Sequence, residues 1–217
     1  FVDYVRRYTE AIHARKPECA VTSSFMYGAR QPDPRMAAPL DYLSGDLDFR
    51  WGAQHALLEA RVFDARGRAA ASALPWNLMA WMFTHPGEMR DPRPWLHKPV
   101  VHLCQELSEV LALGGAVMVY EQPQRTGYLT GWHHEAIAKI ADFCRARKDV
   151  CFQTATLPQA AILHGAESFY ARNVPLYQYQ PGTDPIEGAL HMLTELHVST
   201  DVLTEDAGRA FLGEYPL

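Results

Sequence analysis

Two carboxylates in this chain stand where apolar runs stop. Asp46 closes Asp41-Tyr42-Leu43-Ser44-Gly45-Asp46, and Glu121 closes Ala116-Val117-Met118-Val119-Tyr120-Glu121. A carboxyl group at such a position can donate or accept a proton, or attack as a nucleophile. The plainer alternatives are a turn cap for Asp46 and an ion pair with a neighbour such as Arg125 for Glu121, which is costly to bury alone. Glu59, in Leu57-Leu58-Glu59-Ala60-Arg61, is expected on a salt bridge or a solvated helix face. Aromatic residues gather at the same run ends: Phe25, Tyr27, Trp51, Trp81, Phe83, Tyr120 and Tyr128. Flat rings suit the apolar face of a sugar, and Asn77, His85, Gln122 and Gln124 could bind its hydroxyls. Packing accounts for most such rings in any protein.

Other chemistries find less support. His133-His134-Glu135 opens a helical stretch, but adjacent residues do not share a helix face, and the spacing is not H-E-x-x-H. An exposed helix start is expected there, with no bound metal and no other cofactor. No Gly-x-Ser-x-Gly elbow is present, so a serine-hydrolase reading fails. Cys19, Cys104, Cys144 and Cys151 form no C-x-x-C pair. They sit among apolar neighbours and are expected to be buried reduced thiols, which leans toward a cytoplasmic setting.

The elements that must position these residues follow from periodicity. Val2, Val5, Tyr8 and Ile12 mark a first helix over 1–15. Strands are expected at 19–27, 41–46, 75–83 and 114–120. Helices are expected at 51–63, 98–113 and 133–147, with 66–73 as a connection. The slot after Tyr27, with three prolines between Gly28 and Pro39, is irregular. Alternation of strand and helix implies a parallel sheet. The run Gly114 to Tyr120 is expected to be buried on both faces, as parallel strands under helices are. Four such strands amount to half of an eight-stranded barrel, whose chemistry lies at the carboxyl ends of the strands. A doubly wound open sheet is the rival, and no glycine-rich phosphate loop supports it. After a composition break at Thr154 to Gln159, Ala160-Ala161-Ile162-Leu163-His164, a helix at 186–196, Val202-Leu203 and a helix at 205–211 read as the opening of a second α/β unit.

The net charge of -5 gives no electrostatic case for nucleic acid or an anionic membrane surface. No apolar run is long enough to span a bilayer. A start at Phe1 already inside a helical pattern, and an end at Leu217 before an expected strand, suggest an internal piece of a longer protein.

The stretches Asp41 to Asp46, Leu58 to Arg61, Pro75-Trp76-Asn77-Leu78-Met79-Ala80-Trp81 and Gly114-Gly115 through Tyr120-Glu121-Gln122-Pro123 together resemble a group of glycoside hydrolases. In that group an α-amylase-like or α-L-fucosidase-like (β/α)8 barrel precedes a domain similar to the trimerisation domain of family 42 β-galactosidases. That domain resembles a flavodoxin or class I glutamine amidotransferase fold without its cysteine. The resemblance implies that residues 1–153 are the C-terminal part of the barrel and 154–217 the beginning of the second domain, with Leu157 to Ala166 as its first strand and turn. It implies a retaining glycoside hydrolase acting on a carbohydrate, fucosidase-like or β-galactosidase-like, with no nucleic-acid or membrane partner, and a homo-oligomer, a trimer being the form the second domain suggests. Asp46 and Glu121 are the catalytic candidates, and Tyr27, Trp51, Trp81, His85, Gln122 and Arg125 the substrate contacts. One departure is clear: where family 42 enzymes carry a nucleophilic glutamate, this chain has Trp81-Met82-Phe83-Thr84-His85, with no carboxylate until Glu88. In fucosidase-like barrels the nucleophile is an aspartate on an earlier strand, which would lie outside this sequence. A non-catalytic carbohydrate-binding or assembly protein is the alternative from another class.

Overall fold

In the computed structural model the described residues are 2–24, 27–33, 35, 39–47, 52–70, 73–85, 95–173, 182–211, 213 and 215. Helix α1 (Val2–His13) leads to a single 3-10 turn at Gly28–Arg30. Strand β1 (Leu43–Asp46), helix α2 (Gly52–Ala69), β2 (Trp76–Trp81), β3 (Phe83–Thr84), β4 (Leu96–His97), α3 (Val100–Ala112), β5 (Ala116–Tyr120), α4 (Gly131–Arg145) and α5 (Lys148–Cys151) follow. The chain continues through β6 (Ala160–His164), α6 (Ala166–Arg172), α7 (Asp184–Glu195), β7 (Thr200–Thr204) and α8 (Glu205–Phe211).

Strands β1, β2 and β5 form a parallel sheet in that order. Leu43 lies opposite Trp76, Asp46 opposite Met79, and Trp81 opposite Tyr120. Strand order follows chain order, and α2 and α3 make the crossovers, as parallel pairing requires. The expected mixed α/β architecture with a parallel sheet is therefore present. Its core joins Leu43, Leu47, Leu78, Ala80 and Met82 to Leu103, Leu107 and Val110 of α3, with Val5 of α1 and Ile140 of α4. Gly114 and Gly115 make the turn from α3 into β5. Gly114 has φ +78°, the left-handed conformation that ends many helices on glycine. A Cβ on Gly115 would lie 2.3 Å from the Trp76 ring.

Four expectations change. The strand expected at 19–27 is a lone parallel bridge from Ser24 to Ser44, with Phe25 and Met26 outside the described residues. Side chains occupy groups that a ladder would use: Val21 N–H donates to Asp41 Oδ2 at 2.7 Å, and Thr22 Oγ1 donates to the Tyr42 carbonyl at 2.6 Å. Helix α2 runs to Ala69 instead of stopping at Phe63, absorbing part of the supposed connection. Strand β5 is covered on one face only. Val117 and Val119 pack on the core, while Ala116 is exposed and Met118 is 44% exposed. None of the four cysteines is the fully buried thiol expected: Cys19 is exposed, Cys104, Cys144 and Cys151 are half-buried, and all four are free.

A second parallel pair, β6 with β7, places Ala160 opposite Thr200 and His164 opposite Thr204. Helix α2 lies between the two sheets. Its Ala56, Ala60 and Phe63 join the first core, Leu58 and Val62 join Leu190 and Val202, and Ala65 joins Leu203 and Ala207. A helix enclosed in this way must also bury its polar residues, and these need partners. Asp201 of β7, fully buried, accepts Arg68 Nη2 at 2.6 Å and the Tyr215 hydroxyl at 2.8 Å. Arg61 Nη1 lies 3.6 Å from its other oxygen. Arg68 Nε also donates to Asp64 at 3.0 Å, and His164 Nε2 meets the Ala29 carbonyl at 2.6 Å.

Removing one partner of such a network leaves charge buried and uncompensated, at a cost of about 3–5 kcal/mol. Asp201→Ala is expected to lower unfolding stability by an amount in this range, read from urea denaturation. A change below about 0.5 kcal/mol, as for an ordinary surface site, would refute the role given to the network.

Candidate active site

Asp46 is the last residue of β1 and is only 5% exposed. The Trp81 indole Nε1 donates to its Oδ2 at 3.3 Å, and Oδ1 has no hydrogen-bond partner among the described residues. Burial pushes its pKa up from 3.8 to about 6, helped by the charge of Glu59 and opposed by bonds from Trp81 and Ser24. A carboxyl group so placed holds its proton into the range where a general acid is useful.

Above it the strand ends form an aromatic cluster. Trp81 packs against Phe83 and Tyr120, each at a ring separation of 5.2 Å. Trp95 meets Phe83 at 5.3 Å and His85 at 4.9 Å. The two-residue pairing of β3 with β4 folds the chain back over this cluster, Phe83 opposite His97 and Thr84 opposite Leu96. Met82 N–H donates to the Tyr120 carbonyl and Lys98 N–H to the Met82 carbonyl, so β4 is held beside the end of β5. Beneath it Lys98 Nζ donates to Glu106 Oε1 at 2.6 Å, with His102 Nε2 at 3.1 Å. Burial raises the Glu106 pKa, while Lys98 and then His102 lower it.

Glu121 leaves β5 into this region with its side chain 4% exposed. Its Oε1 accepts the Gln122 N–H at 2.7 Å. Its Oε2 lies 3.5 Å from His97 Nδ1 and 3.7 Å from His133 Nδ1. Arg125, the expected partner, is exposed instead, because the turn over 122–128 carries it outward.

The remaining candidates separate. Trp81 is half-buried and His85 is buried, both in the aromatic cluster. Gln122, like Arg125, is exposed, in the loop that follows β5. Tyr27 is buried, edge-on to His55 at 5.8 Å and beneath Arg30 at 4.1 Å. Trp51 lies outside the described residues. Glu59 is not on a solvated face. It is fully buried, accepts the Ala29 N–H at 3.1 Å and lies 3.4 Å from His55 Nε2, because both sides of α2 are covered. His133 is not part of an exposed helix start: it is buried, while His134 is exposed. Its spacing from Ile137 and Ile140 is the sequence signal for that face. His97 and Trp95 had no comparable signal, since a two-residue strand carries no period.

No protein-family model matches the chain, and no curated protein matches it. Among solved structures it matches α-L-fucosidase isoenzyme 2 from Paenibacillus thiaminolyticus, with a TM-score of 0.68 and 24% sequence identity. The match covers 94% of this chain and 29% of that one. The chain thus has the fold of a part of that glycosidase and spans less than a third of its length.

The acidity of Asp46 sets a pH dependence. Between pH 3.8 and about 6 the folded chain keeps a proton that the unfolded chain has released. Stability therefore falls as pH rises through this window and stays lowered above it, by about 3 kcal/mol at ~1.4 kcal/mol per pKa unit. Asp46→Asn abolishes this loss. Urea denaturation should show the variant gaining about 2 kcal/mol on wild type between pH 4 and pH 7.5. A stability difference independent of pH would show that Asp46 ionises normally.

Proposed function

We propose that this chain belongs to a glycoside hydrolase of α-L-fucosidase-like specificity, with Asp46 as its proton donor. The observation that carries the reading is a buried carboxyl group with a pKa of about 6 at the carboxyl end of a parallel strand. The shared fold with a part of an α-L-fucosidase supports the substrate class. An aspartic acid that is still partly protonated near neutral pH can protonate a departing glycosidic oxygen. The Trp81 N–H then stabilises the aspartate left behind, as charge-assisted hydrogen bonds do.

Glu121, the second candidate, is assigned to positioning. It lies two strands from Asp46, and the register sets it three residues further along. With strands ~4.8 Å apart and ~3.3 Å per residue, the two Cα atoms are roughly 14 Å apart. Retaining pairs hold their carboxyl groups about 5 Å apart. In a retaining reaction the nucleophile therefore comes from another residue, as the resemblance to fucosidase-like barrels implies. Gln122 and Arg125 in the loop that follows β5 are proposed hydroxyl contacts, with Trp81 and His85 shaping the floor. Assembly into a homo-oligomer through the β6–β7 unit is proposed on the exposed apolar side chains Leu163 and Met192.

The full-length protein is expected to hydrolyse aryl α-L-fucosides, and aryl β-galactosides less well. Asp46→Asn should lower kcat about 10²–10⁴-fold, most severely for poor leaving groups, which need the proton most. Equal loss across leaving groups would remove Asp46 from the acid role. No hydrolysis of either glycoside by the wild-type protein, together with retained sugar binding, would favour the non-catalytic alternative.

A further inference from the structure

We propose that His97, Glu121 and His133 form a zinc-class divalent metal site at the end of β5. Their ligand atoms all lie within 4.8 Å of one another. The distances from Glu121 Oε2, 3.5 Å to His97 Nδ1 and 3.7 Å to His133 Nδ1, are too long for good hydrogen bonds. They fit a shared cation. Two ligands each ~2.1 Å from zinc at the tetrahedral angle stand about 3.4 Å apart. Glu121 Oε2 and His133 Nδ1 are buried and have no hydrogen-bond partner among the described residues. Their side chains are 4% and 8% exposed. Two buried polar atoms facing each other without a partner are costly, and a cation between them satisfies both.

The scaffold fixes all three ligands. His97 is placed by its pairing with Phe83, Glu121 follows β5, and His133 lies in the first turn of α4. Trp132 holds both imidazoles, edge-on to His97 at 4.4 Å and to His133 at 3.8 Å. Two imidazoles and one carboxylate select zinc or a similar transition metal over calcium and magnesium, which prefer all-oxygen shells. The His97 side chain is 32% exposed, which leaves access for a water or a substrate oxygen as fourth ligand, as in open zinc sites. This inference stands apart from the glycosidase reading, because metal binding is measured whether or not a sugar is cleaved.

The test is titration of the full-length protein, stripped with chelator, with Zn²⁺ and with Co²⁺. One equivalent per chain and the visible absorption of tetrahedral cobalt are expected. His97→Ala and His133→Ala should each weaken binding by at least about tenfold, since even outer-shell changes weaken metal sites by 10–100-fold. The near-isosteric Glu121→Gln should do the same without a packing change, and circular dichroism would check that each variant is folded. His134→Ala, altering the exposed neighbour, should leave binding unchanged. No binding at micromolar metal, or undiminished binding in the His97→Ala/His133→Ala double variant, would overturn the site and place any bound zinc on other histidines.

Discussion

Enclosure of helix α2 is the constraint on which the other features depend. It contacts the first sheet and α3 on one side and β7, α7 and α8 on the other, so almost no face is left for solvent. Small residues at Gly52, Ala56, Ala60, Ala65 and Gly67 permit close approach. A Cβ on Gly67 would come within 2.7 Å of the Leu74 carbonyl, and one on Gly52 within 2.8 Å of His102. The polar residues of α2 then become connectors. Glu59 reaches the 3-10 turn at Ala29, and His55 faces both Glu59 and Glu187. Arg61 and Arg68 face Asp201. Desolvated ion pairs of this kind add little net stability over apolar packing, but their loss is severe. They fix one arrangement of the two sheets.

The same enclosure acts on Asp46. Glu59, buried on α2, contributes a negative charge that adds to the effect of desolvation on the Asp46 carboxyl. A helix needed for packing therefore tunes the acidity of a group at the strand end. The Trp81 N–H opposes this and keeps the ionised form accessible, so the carboxyl is poised between its two states rather than locked in one.

Much of this was legible in the sequence because it rests on local periodicity. The apolar runs at 76–81, 116–120 and 160–164 specify strands, the 3.6-residue pattern at 100–112 specifies a helix, and the polar termini of the runs mark Asp46 and Glu121. Most of what was not legible depends on pairing over long separations. The extent of α2 was hidden because its last turns carry Asp64, Arg66, Gly67 and Arg68, a polar stretch with a glycine that reads as a connection. The burial of Glu59 was hidden because its cover comes from the turn at Gly28–Arg30. The strand expected at 19–27 had the right composition, but Asp41 and Thr22 side chains compete for its backbone partners. His97 reaches Glu121 only because β3 and β4 pair across the intervening loop, and a pairing of two residues per strand is below what patterning can specify.

The two carboxylates at the strand ends are thus held in different electrostatic settings by different means. Asp46 meets an indole N–H, a hydroxyl and a like charge, and no cationic side chain donates to it among the hydrogen bonds and salt bridges of the described residues. Glu121 faces two imidazoles and a backbone N–H. Desolvation without a counter-charge favours the protonated form of Asp46. Two carboxyl groups at strand ends of one sheet thus have unlike surroundings, and the difference comes from the elements packed beside each: α2 and the Trp81 indole for Asp46, β4 and the start of α4 for Glu121.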